Sequence, residues 1–143
     1  MRHAKPEDLD RVMEIFKQYN EWFPHVRSWR IKHRLMHGQV YFKNNVVITY
    51  HQYKRDNIIG DVKALKDDYI LHQIVAKERN GSAKKTIEEF FEFVKGNVWL
   101  TVREENTAAC KFYEKVGMEL VGSISWAKGK MPGSVWRKEK WSE

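Results

Sequence analysis

One cysteine, Cys110, in 143 residues leaves no partner for an internal disulfide. The chain therefore has to rest on a hydrophobic core, and a reducing compartment suits it. Three prolines and eight glycines are too few to build a linker or a low-complexity segment. No apolar run approaches the ~20 residues that span a bilayer. The opening MRHAKPEDLD lacks the apolar segment of a signal peptide, so a cytoplasmic location is expected. The histidines are scattered, and only His33 and His37 stand at a metal-ligand spacing. An exposed pair among so many cations is a poor zinc site, and no metal is expected. Acidic residues are the last shortage: 19 against 26 lysines and arginines, a net charge of +7. That balance favours an anionic partner, either nucleic acid or a phosphorylated cofactor. What is present, 42% apolar residues and six tryptophans, is ample for one folded domain over residues 1–143.

Read in order, Met1 to Ala4 is short and extended. Pro6-Glu7-Asp8 then starts a helix whose acidic first turn complements the dipole. Leu9, Val12, Met13, Ile15, Phe16 and Tyr19 mark its buried face. Phe23-Pro24 breaks it. His25 to His37 forms a second helical segment, with Val26, Trp29, Ile31 and Met36 interleaved with Arg27, Arg30, Lys32, His33 and Arg34. Strands are expected over Gln39 to Phe42, Val46 to Tyr53, Ile58 to Leu65 and Tyr69 to Ala76. Asn44-Asn45 supplies a two-residue hairpin turn between the first two. A third helix spans Gly81 to Val94, with Ala83, Ile87, Phe90, Phe91 and Val94 as its apolar stripe. Further strands follow over Val98 to Val102, Met118 to Trp126 and Ser134 to Arg137.

The core of this organisation is a strand–turn–helix–strand–helix run. Tyr69 to Ala76 leads through RNGSAKK into the third helix. Val98 to Val102 leads into NTAACKFYEKVGM, a short helix closed by a left-handed Gly117. Such a unit has parallel strands, and ligands sit beyond their carboxyl ends. Gly81, Ser82 and Ala83 are small, so an anion can approach the unpartnered amides at the helix start. Arg79, Lys84 and Lys85 add positive charge.

The order of elements, with RNGSAKK and N-x-x-A-x-x-F-Y-x-x-x-G-M over Asn106 to Met118, resembles the GNAT superfamily of acyl-CoA-dependent N-acetyltransferases. The likeness covers nearly the whole chain. It implies an α/β fold with a mixed central sheet of about six to seven strands flanked by about four helices. It implies acetyl-CoA as cofactor, its pyrophosphate on the turn of Arg79, Asn80, Gly81, Ser82, Ala83 and Lys84. The pantetheine arm would run beside Ile74 and Val75 and beside Asn106, Ala109 and Phe112. The phenol of Tyr113 would lie near the sulfur. One departure stands out: Glu78 occupies the place where the family's turn has Gln or Arg. A carboxylate there repels a pyrophosphate, so either Arg79 takes over that role or the turn is shortened.

The implied chemistry is direct attack of a primary amine on the thioester in a ternary complex. An amine of pKa ~10.4 is neutral in about one molecule per thousand at pH 7, so a base is needed. His72, a polar interruption of an apolar strand, is the candidate, with Asp61 or a relayed water as alternatives. A backbone N–H near Val75 could hold the oxyanion. A thiol of pKa ~8.5 is more acidic than a phenol near 10, so full proton transfer from Tyr113 is uphill by roughly 2 kcal/mol. Hydrogen-bond donation is the expected role. The acceptor region of the family corresponds to Trp22, Phe23, Arg27, Trp29, Arg30 and Arg34, with Trp29 and Arg30 as the substrate-binding candidates. The expected acceptor is an amine of a small molecule or protein, and the chain a monomer or homodimer. The basic, aromatic composition also suits a Mom-like nucleic-acid modification enzyme, as found among small phage members, or a non-catalytic nucleic-acid-binding module.

Overall fold

The computed structural model describes residues 4–18, 27–78 and 80–140. The helices are α1 (Leu9–Lys17), α2 (Ser28–Met36), α3 (Ser82–Phe93) and α4 (Thr107–Lys115). The strands are β1 (Val40–Lys43), β2 (Val46–Gln52), β3 (Asn57–Ile59), β4 (Val62–Ala64), β5 (Tyr69–Ala76), β6 (Val98–Arg103), β7 (Glu119–Trp126) and β8 (Met131–Lys138). Six of them form one mixed sheet in the order β1-β2-β5-β6-β8-β7, and β3-β4 is a separate hairpin. The expected mixed sheet and four helices are therefore present. Two expectations, the break at Phe23-Pro24 and the helical start at His25, lie outside the described residues, as does most of the opening extended stretch.

The chain divides into two compact units, one of Met1–Tyr50 with His72–Phe90 and one of His51–Leu71 with Phe91–Glu143. In the first, Val12, Ile15 and Phe16 of α1 and Ile31 and Leu35 of α2 pack on Val40, Val47 and Val75 of the sheet. Each such fully buried side chain stabilises the fold by about 1.5–3 kcal/mol. On the opposite face of β1 and β2, Phe90 of α3 meets Tyr41 and Tyr50 edge-on, with ring centroids 5.7 and 4.8 Å apart. Both faces of β2 are thus covered, and Val46 to Tyr50 are all buried rather than alternating. Asn44 and Asn45 form the β1-β2 turn with φ of 56° and 58°, a left-handed pair that asparagine tolerates better than most residues. Asn44 also donates to Thr86 Oγ1 of α3 at 3.1 Å.

In the second unit β6, β8 and β7 are antiparallel neighbours. β5 pairs with β6 in parallel at Tyr69↔Val98 and Ile70↔Trp99, the registered pairs among the described residues. Ile59, Ala64, Ile70, Trp99 and Val135 form the core cluster here. Asp68 is buried beside them. One of its oxygens accepts the Trp99 indole N–H at 2.9 Å and the Leu65 amide at 2.9 Å.

One expected element is corrected. Ile58 to Leu65 is not a single strand but the hairpin β3-β4, turned at Gly60-Asp61. Gly60 has φ +61°, and a Cβ there would overlap the Ser123 carbonyl of β7. The Asp61 amide donates to that carbonyl at 3.1 Å, and Asp61 Oδ1 accepts the Ser123 amide at 2.8 Å. The turn is thereby latched to β7 beside the register shift between Leu120 and Gly122. A Cβ at Gly122 would overlap Asp61 in the same way.

Candidate active site

Each unit carries its own share of the candidate residues. In the first, β5 runs out at Ala76 into Lys77 to Gly81 and then α3. The Lys77 amide donates to the Asn45 carbonyl at 2.9 Å, which ties the start of this turn to the β1-β2 hairpin. Arg11, Glu14, Ile15, Phe42 and Asn45 line a small cavity with Lys77, and the Arg11 guanidinium stacks over the Phe42 ring at 5.1 Å.

Gly81 has φ +87°, and a Cβ built on it would meet nothing within 4 Å. Its glycine is required by backbone conformation, and the space before it is open. Asn80 Oδ1 accepts the Ser82 amide at 3.2 Å, and Asn80 Nδ2 donates to Glu78 at 3.2 Å. The Lys85 amide closes the first helical turn onto the Gly81 carbonyl. The first amides of a helix have no partner within it, and here the one at Ser82 is taken up by the Asn80 side chain. The Lys84 ammonium lies 3.4 Å from Glu88, with both side chains about half exposed. Arg79, expected to replace the missing basic residue of the turn, lies outside the described residues.

Along β5 the polar interruptions separate. His72 is exposed, while Gln73 is half-buried and tied to Thr49 of β2, which is wholly buried. The Thr49 hydroxyl donates to the Gln73 side-chain oxygen and accepts the Gln73 amide at 3.1 Å. This pair was not foreseen in the sequence, where Thr49 looks like any β-branched strand residue. Ile74 is half-buried, and Val75 is buried against α1 and α2.

Of the residues expected to face an acceptor, those described lie on or beside α2. Trp29 is 65% exposed, with the Arg30 guanidinium over its ring at 5.2 Å. Arg34 reaches Gln39 Oε1 at 3.3 Å; its pKa is lowered by burial and, secondarily, by repulsion from Arg30. Trp22 and Phe23 lie outside the described residues.

In the second unit, Asn106 caps α4. Its side-chain oxygen accepts the Ala109 amide at 3.2 Å, which leaves the side-chain NH2 to donate elsewhere. Gly117 ends the helix with φ +89°, and the Met118 amide bonds back to the Tyr113 carbonyl at 3.0 Å, the expected left-handed closure. Phe112 is half-buried and edge-on to Tyr113 at 5.6 Å. Tyr113 is buried at 9% exposure. Burial, and then the charge of the half-buried Cys110 thiolate, pushes its phenol far above the usual range. Asp61, weighed as a base, spends its carboxylate on the Ser123 amide instead.

No protein-family profile matches the sequence, and neither does any curated protein. Solved structures do match, and they define the fold as that of the GNAT acetyltransferases. A GNAT-family acetyltransferase from Bacillus cereus superposes with a TM-score of 0.74 at 18% identity, over 98% of this chain and 96% of its own. The acetyltransferase yncA of Salmonella typhimurium, solved with its cofactor acetyl-CoA, gives 0.71 at 12% identity, over 99% and 94%. Arabidopsis thaliana NAA60, solved with a bisubstrate analogue, gives 0.63 at 16% identity, over 96% of each chain.

Proposed function

We propose that the chain is an acyl-CoA-dependent N-acyltransferase, with acetyl-CoA as donor and a primary amine of a small molecule or protein as acceptor. The observation that carries this reading is the opening of α3: a strand leads to a left-handed Gly81 with open space before it, followed by the small residues Ser82 and Ala83, whose backbone amides open the helix. Those amides fit a pyrophosphate, and the helix dipole adds to the attraction. Glu78, the unfavourable charge of this turn, is engaged by the Asn80 side chain. In the second unit, the side-chain NH2 of Asn106 remains able to donate to an amide carbonyl of the pantetheine arm.

Coenzyme A supplies an activated acyl thioester when bound. The chain's own groups then divide the proton work. His72 is exposed and takes a proton from the incoming ammonium, directly or through water. Tyr113 holds its proton well beyond neutral pH because burial disfavours the phenolate. It is therefore a hydrogen-bond donor that strengthens as negative charge grows on the departing sulfur, not a full proton donor.

Thermal unfolding with and without acetyl-CoA tests the reading. At about a hundred times Kd the ligand should stabilise the chain by about 2.7 kcal/mol, or roughly 9 °C at this chain length. No shift at saturating acetyl-CoA would remove the reading. Tyr113→Phe should keep the shift and lower kcat by ~10- to 100-fold.

A further inference from the structure

We propose that the exposed face of α2 is a docking surface for single-stranded nucleic acid. The helix buries Ile31 and Leu35, at 2% and 3% exposure, which orients it on the core. On its solvent side stand Trp29 and Met36, 65% and 63% exposed. They are seven residues apart and so lie on one face, about two turns from each other. Arg27, Arg30, Lys32 and His33 are all exposed around them. The helix sequence SWRIKHRLM carries no carboxylate. Arg27, Arg30 and Lys32 have no ion-pair partner among the described residues, whereas Lys43, Lys63, Lys84 and Arg103 do.

Here the indole is presented to solvent with a guanidinium already stacked on it, a flat π surface inside a positive field. Unpaired bases fit that combination, since every base has a face to stack and every nucleotide a phosphate to neutralise. An acidic peptide would use the cations and leave the indole idle. A bilayer would need the apolar stripe of the helix, and Ile31 and Leu35 are committed to the core. The inference stands apart from the acyl-transfer reading, because binding is measured without coenzyme A.

The experiment is fluorescence anisotropy of a labelled oligo-thymidine strand with the full chain, between roughly 50 and 200 mM salt. Binding should weaken steeply with salt. Each phosphate contact on a single strand contributes about 0.7 to the log–log slope. The combined Arg27→Gln, Arg30→Gln and Lys32→Gln variant should therefore reduce the slope by about 2. Trp29→Ala should weaken single-strand binding by at least about fivefold at unchanged slope. Trp29→Phe should restore most of the loss, and Trp29→Ala should leave binding to the matching duplex as it was. The substituted side chains are exposed, so melting temperatures should stay put. Absence of binding at the lowest salt, or a Trp29→Ala variant that binds the strand like the parent, overturns the proposal. So do phosphatidylserine vesicles that compete as well as unlabelled strand and depend on Trp29 equally.

Discussion

Tyr113 illustrates how far one buried hydroxyl constrains the chemistry. Its phenol stays protonated in the folded state at pH values where an unfolded tyrosine ionises. The folded pKa is raised, so the associated stability is complete below ~10 and is lost as pH climbs above it. Above that point each such phenol should cost about 1.4 kcal/mol of stability per pH unit. Tyr41 and Tyr53 are shifted upward by burial as well, so Tyr113→Phe should flatten the alkaline loss without abolishing it. Denaturant titrations between pH 9 and 11 (roughly) read this directly. The rate of acyl transfer should rise with pH as the amine deprotonates, with no falling limb from Tyr113 up to about pH 10. A drop in rate below that pH that Tyr113→Phe removes would contradict the assignment.

Two elements show what the sequence could and could not disclose. The cap and stop of α4 were legible: Asn106 begins it and Gly117 ends it, because both positions have residue types the backbone there demands. Asn106→Ala should cost about 1 kcal/mol, while Asn106→Asp keeps an oxygen for the Ala109 amide and should cost little. Weakened acetyl-CoA binding by the Asp variant, at unchanged stability, would assign the side-chain NH2 to the cofactor; unchanged binding would confine Asn106 to capping. The β3-β4 hairpin was not legible, since Ile58 to Leu65 looks like one apolar run broken only by Gly60-Asp61. What makes it a hairpin is the latch to Ser123, some sixty positions along the chain. Asp68 is likewise settled at long range, as the acceptor for the Trp99 indole. The same holds for Trp29, since local pattern alone did not set it apart from the buried Ile31. Long-range pairing decides these positions, and local residue type is silent about it. The opening of α3 was readable as a glycine turn followed by small residues, but the Thr49–Gln73 pairing depends on cross-strand register.

For the molecule as a whole, a mixed sheet and the number of helices were anticipated because helix and strand periods alternate along the chain, whereas the strand order was not. The excess of cations and its concentration on the second helix were equally plain, but that Arg27, Arg30 and Lys32 lack ion-pair partners among the described residues emerged only with the folded arrangement. No helix of the described residues is long and apolar enough to cross a membrane. Gly60→Ala should destabilise the chain by about 1–3 kcal/mol, because a side chain there collides with backbone and must adopt a left-handed conformation. Its second effect concerns self-association. β7 ends the six-strand sheet, and the Gly60-Asp61 turn occupies both the amide and the carbonyl of Ser123 in the middle of that border strand. Unfastening the turn would offer a free template on which another chain could add a strand. Light scattering of Gly60→Ala near its melting temperature should therefore show particle growth, whereas Asn106→Ala, also weakened but with its border closed, should stay clear near its own melting temperature.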